Sequence, residues 1–134
     1  MPTGNNTAIV DSSVLVAFFN RNDEFFDRAN EILASQKAPL LLQDIVFHET
    51  VALLRKRVSK SVATKAAQEL TTSAFFRLQI GTLEVVAEAV NLFVEKKAKY
   101  SFADCVIVVV ALRQKMPVIS FDRHFRDFKI TLIA

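Results

Sequence analysis

Short apolar segments alternate along this chain with stretches of helical period, and that alternation limits the fold more than any other feature. Ala8-Ile9-Val10, Leu40-Leu41-Leu42 and Pro117-Val118-Ile119-Ser120 read as short strands, with two more near Arg77–Ile80 and Ile130–Ile133. Helical patterns fall between them. A first helix begins near Val14, with Asp11 or Ser12 at its cap. Glu24 to Ser35 places Phe25, Ala29, Ile32 and Leu33 on one face, and Pro39 stops it. Asp44 to Val58 puts Ile45, Val46, Glu49, Ala52 and Leu53 on one face, with Arg55, Lys56 and Arg57 at the end where the helix dipole favours cations. A helix capped at Ser61 or a neighbour runs to about Phe76, and Glu84 to Lys97 is amphipathic. Ala103 to Gln114 is ambiguous. Its run Val106 to Val110 has strand propensity, while its length and the Ser101-x-x-Asp104 box favour a buried helix. The pattern predicts one α/β domain over residues 1–134 with a mainly parallel sheet, residues 1–7 being a polar leader.

Composition removes several kinds of chemistry. The glycines Gly4 and Gly81 are too isolated for a dinucleotide or phosphate loop. A lone Cys105 makes neither an internal disulfide nor a cysteine zinc site. His48 and His124 lack metalloprotease spacing. The longest apolar run, Cys105 to Leu112, has eight residues, against the roughly 20 needed to span a bilayer, so no membrane association is expected. An unpaired cysteine and no export signal predict a cytoplasmic location. A net charge of +3 permits an anionic partner without requiring one. With 12 Phe, 1 Tyr and no Trp, most aromatics are spaced for the core, which argues against a stacking platform for single strands. One member each of Phe18-Phe19 and Phe25-Phe26 is free to serve a dimer face or a partner groove.

The remaining candidates are acids. In open parallel sheets, ligands bind beyond the carboxyl ends of the strands. Asp11 directly follows the first strand, and Asp122 follows the 118–120 strand. Glu49 lies on an apolar helical stripe, and Asp104 opens the most apolar helix in the chain. Taken singly, Asp11, Asp104 and Asp122 also fit helix capping, and Glu49 also fits pairing with an arginine. Converging acids need cations or raised pKa values to coexist, and carboxylate oxygens suit hard ions such as Mg²⁺ or Mn²⁺.

At these residues the sequence resembles the PIN-domain nucleases. The resemblance runs from Ile9-Val10-Asp11-Ser12-Ser13, through Val46-Phe47-His48-Glu49 and Phe102-Ala103-Asp104, to Ser120-Phe121-Asp122-Arg123-His124-Phe125. It implies a three-layer α/β/α fold and a Mg²⁺- or Mn²⁺-dependent ribonuclease leaving a 5′-phosphate and a 3′-hydroxyl. Small members of this size are often VapC-type toxins, homodimeric and inhibited by a small antitoxin. The family's acidic set falls on Asp11, Glu49, Asp104 and Asp122, with Ser12, Ser13 and Ser120 in supporting positions. The resemblance also makes Ala103–Gln114 a helix. Arg55, Arg57, Arg123 and His124 are candidates for RNA contact. The family often has glycine before the fourth strand, where this chain reads Arg113-Gln114-Lys115-Met116-Pro117, and a changed loop is expected there. The main competing reading is a PIN-like interaction module whose acids are structural. An aspartyl phosphatase would need an acid two residues after Asp11, where this chain has Ser13.

Overall fold

The computed structural model describes residues 8–96 and 99–134, so the expected leader at 1–7 and Lys97 lie outside the described residues. In chain order the elements are β1 (Ile9–Val10), α1 (Ser12–Phe19), α2 (Phe26–Ala34), β2 (Leu40–Gln43), α3 (Asp44–Arg57), α4 (Lys60–Thr72), β3 (Phe76–Gln79), α5 (Leu83–Lys96), α6 (Phe102–Gln114), β4 (Val118–Ile119), a 3₁₀ turn (Arg123–Asp127) and β5 (Leu132–Ile133).

The strands form one sheet in the order β3-β2-β1-β4-β5, every pairing parallel. Successive crossovers move outward from β1 to β2 and β3, then return across β1 to β4 and β5. Right-handed crossovers in opposite directions place their helices on opposite faces. Accordingly α1 packs on α2 and α3, and α3 on α4, while α5 and α6 pair on the return connection. Helices on both faces explain why β1, β2 and β4 are buried throughout rather than alternating. The reversal of direction falls beside β1, the position where open α/β sheets leave a crevice.

Helix α6 lies deepest. Every residue from Ala103 to Ala111 is buried. A helix apolar on all sides has no stripe to read, which is why its β-branched run resembles a strand. Ser101 and Asp104 form a reciprocal capping box at its start, satisfying two orphan amides.

Several boundaries differ from the sequence reading. Asp23 Oδ1 accepts the Phe25 amide at 2.8 Å and holds a turn, so α2 starts at Phe26. Phe25 therefore sits outside the buried stripe of Ala29, Ile32 and Leu33, 46 % exposed, and stacks on Phe121 at 5.0 Å. Ser59 caps α4 by accepting the Val62 amide, and extended backbone at Ser73 ends that helix before Phe76, which enters β3. On α3 the buried stripe is Val46, Thr50 and Leu54, one position from the expected one; Glu49 flanks it, half-buried.

The expected loop change before β4 does not take the form foreseen. Lys115 itself adopts the left-handed conformation, φ 54° and ψ 48°, at the end of α6. The chain keeps the backbone shape that glycine would supply and carries the strain of a Cβ there, about 1–2 kcal/mol. Glycine's greater freedom in the unfolded chain offsets part of this. Lys115→Gly is therefore expected to stabilise the protein by up to about 1 kcal/mol in urea unfolding; an unchanged or lower midpoint would contradict the strain.

Candidate acidic site at the carboxyl ends of β1 and β4

Asp11 is the centre of the site. It occupies the N-cap position of α1 but makes no side-chain cap bond. Its Oδ2 instead accepts hydrogen bonds from Ser120 Oγ at 2.7 Å and Ser13 Oγ at 2.9 Å. Each serine oxygen also accepts a backbone amide, Asp122 N at 2.9 Å onto Ser120 and Phe121 N at 3.0 Å onto Ser13. Both hydroxyl protons are thereby committed to Asp11, and the 3.2 Å approach of the two Oγ atoms is a contact rather than a bond. The Asp11 amide meanwhile donates to Ile119 O at 2.9 Å. Backbone and side chain together fasten the end of β1 to the segment leaving β4. The helix-cap reading of Asp11 does not hold.

This carboxylate is 2 % exposed. Burial pushes its pKa up to about 6 from 3.8; the bonds from Ser120 and Ser13 pull it down, the Asp104 charge pushes it up, and the Ser12 amide pulls it down. The charge of Asp104 thus reaches Asp11.

Consecutive serines serve different acids. Ser13 holds Asp11, while Ser12 Oγ donates to Glu49 Oε1 at 2.6 Å. Packing of α1 on α3 brings that pair together and ties Glu49 to the residue next to Asp11. Asp104 keeps its cap role, its Oδ2 accepting the Ser101 amide at 3.1 Å. The same oxygen lies 3.1 Å from His124 Nε2. Asp122 stands at the start of the 3₁₀ turn with no cap bond and is exposed; its Oδ1 is 3.6 Å from His124 Nδ1. One ligand atom from each of Asp104, Asp122 and His124 lies within 4.8 Å of the others. Among the described residues no lysine or arginine comes within ion-pair distance of Asp11, Glu49, Asp104 or Asp122.

The basic candidates are more scattered. Arg123 is exposed beside Asp122. Arg55 and Arg57 lie about 9 and 12 Å farther along α3 than Glu49, at 1.5 Å per residue. Arg55 lines an apolar groove of about 590 Å³ between α3 and α4, with Phe47, Val51 and Ala63, and none of the four acids borders it. The acids lie at the carboxyl ends of the strands rather than along this groove. The position of His124 between two of the acids was not foreseen; its place two residues after Asp122 in a tight turn is the signal that would have found it. Cys105, next to Asp104, is disfavoured as a thiolate: burial first, and the Asp104 charge second, raise its thiol pKa.

Comparison with curated proteins gives no match. Among solved structures, VapC20 of Mycobacterium tuberculosis, described as a sarcin–ricin loop cleaving toxin, superposes with a TM-score of 0.86 at 24 % identity, over 93 % of this chain and 97 % of that one. A toxin–antitoxin complex from Klebsiella pneumoniae gives 0.69 at 16 % identity, over 96 % and 97 %. VapBC2 of Rickettsia felis, bound to a DNA fragment from its promoter, gives 0.67 at 14 % identity, over 95 % and 97 %. These likenesses establish the three-layer fold. The PIN domain family matches residues 8–130, nearly the whole chain and the span in which Asp11, Glu49, Asp104 and Asp122 fall, and this protein belongs to the PIN domain family.

Proposed function

We propose that this protein is a Mg²⁺- or Mn²⁺-dependent ribonuclease and the toxin of a toxin–antitoxin pair. The observation that carries the reading is that Asp104 and Asp122 offer ligand atoms within 4.8 Å of each other, that the Asp104 charge acts on buried Asp11, and that Ser12 beside Asp11 holds Glu49, with no lysine or arginine among the described residues at ion-pair distance from any of the four. Oxygen donors of this kind fit a hard divalent cation, which would relieve both their repulsion and the burial of Asp11. The toxin reading is supported by the family match and by the likeness to VapC20 and to toxin–antitoxin complexes.

When bound, such a cation supplies activation of a water nucleophile at neutral pH and offsets charge gathering on the phosphoryl group. The chain's own residues prepare the site for it. Ser13 and Ser120 fix one oxygen of Asp11 and leave the other outside their grip. Ser12 sets the rotamer of Glu49. The capping box holds Asp104, and exposed Asp122 and Arg123 form the side open to substrate. Arg123 is the nearest cation in sequence for the RNA backbone, with Arg55 and Arg57 as a more distant track.

Two surfaces suit the partners. Along α5, Leu83, Val86, Val90 and Val94 are exposed on one side, Leu83 at 84 % and Val94 at 66 %. An apolar stripe of this kind on a helix suits a second copy of the chain. Phe18, Phe19 and Phe26 line a separate groove with Val58 and Val62, a seat for an apolar antitoxin segment. No helix among the described residues is long and apolar enough to cross a membrane, and action in the cytoplasm is part of the proposal.

Antitoxin-free protein is expected to cleave RNA with Mn²⁺ or Mg²⁺, to stop in EDTA, and to lose at least about 100-fold in rate in Asp11→Asn and Asp104→Asn with the fold intact. Full activity in both variants would favour an interaction module with structural acids. A second expectation concerns pH. Because the folded pKa of Asp11 is raised to about 6, its contribution to stability is complete below about pH 4 and lost as pH rises through about 6. In EDTA, the stability of Asp11→Asn relative to wild type should therefore rise by about 3 kcal/mol from pH 4 to 7 in urea unfolding; a flat difference would contradict the burial. A third concerns the α5 stripe: light scattering should find a dimer for wild type and a monomer for Val90→Glu, and a wild-type monomer would remove the dimer from the proposal.

A further inference from the structure

We propose that His124 is a nitrogen ligand that biases the acidic site toward Mn²⁺ and away from Mg²⁺; the inference rests on the metal-dependent reading above. Four carboxylates alone form an all-oxygen donor set, the kind Mg²⁺ accepts readily. Imidazole nitrogen favours first-row transition ions, whose affinity for nitrogen donors exceeds that of Mg²⁺.

The ring is placed for this role. Its Nε2 is buried and approaches Asp104 Oδ2 to 3.1 Å, yet makes no aligned hydrogen bond with it. Buried polar atoms without partners are uncommon in native proteins, and each calls for an ion, a water or a functional role. The atom in question faces one of the proposed ligands, and Asp122 Oδ1 lies 3.6 Å from the other ring nitrogen. Among the described residues, these three side chains form a group whose ligand atoms fall within 4.8 Å of one another. The ring is held from its other sides. Tyr100 meets it edge-on at 5.2 Å between centroids, and Phe125, fully buried, packs at 4.7 Å. Tyr100 is itself anchored through its hydroxyl to Asp127, at the end of the same 3₁₀ turn. A side chain clamped in this way enters the site at little entropic cost.

The test uses the full chain and the metals alone. Titration calorimetry should give Mn²⁺ binding at least about 10-fold tighter than Mg²⁺. Pulsed EPR of the Mn²⁺ complex should show ¹⁴N modulation from a directly bound imidazole. His124→Phe, which keeps ring packing, and His124→Gln should each lose that signal and about 10- to 100-fold in Mn²⁺ affinity, with Mg²⁺ affinity changed less than about 3-fold. The wild-type spectrum needs no variant to fold. Mn²⁺ bound without ¹⁴N modulation, or equal losses for the two ions, would overturn the nitrogen-ligand role. If that happens while Asp11→Asn and Asp104→Asn still abolish binding, the carboxylate site stands and His124 serves only as a counter-ion to Asp104 and Asp122. If wild type binds neither ion, the metal-dependent reading falls and the inference with it.

Discussion

A buried carboxylate gripped by two serine hydroxyls organises this edge of the molecule. Asp11 Oδ2 receives Ser13 from the start of α1 and Ser120 from the end of β4, and both serines also accept amides of the segment that carries Asp122. One side chain thus fixes the exits of the two strands that meet where the sheet reverses direction. The arrangement runs against the carboxylate's own preference, since burial favours its neutral form. Hydroxyl bonds answer only part of that cost. The imbalance suits a site that is completed from outside by positive charge.

The rest of the fold keeps that edge rigid while leaving it open. Helix α6, apolar on all sides, fills the space against the sheet and projects Asp104 from its first turn. The α1–α3 contact sets Glu49 against Ser12. Asp122 alone of the four stands exposed, on a short turn anchored by Phe125 beneath it. Two buried acids, the half-buried Glu49 and one exposed acid on a turn form an edge that is held firmly on the protein side and open on the other.

Much of this was legible in the sequence because it depends on local rules. Asp11 and Asp122 directly follow apolar runs, and in a parallel sheet that alone sends them to a common edge. The Ser101–Asp104 box is a local motif, readable from its spacing alone. What escaped depends on tertiary context. The valine run of α6 carries no periodicity because every side of the helix is covered, so only the family resemblance favoured helix there. Phe25 belonged to the apparent stripe of α2 until the Asp23 turn delayed the helix. Glu49 meets Ser12 from beside the buried stripe of α3 rather than from within it. Lys115 takes a conformation that its residue type disfavours, which no propensity would suggest. The place of His124 depends on how the turn after β4 folds back over the start of α6.

Anomalous diffraction from crystals grown with Mn²⁺ most directly tests whether these acids hold a divalent cation. At least one manganese peak is expected within bonding distance of Asp11 and Asp104 carboxylate oxygens. A well-ordered site without manganese density, at saturating Mn²⁺ and neutral pH, would contradict it.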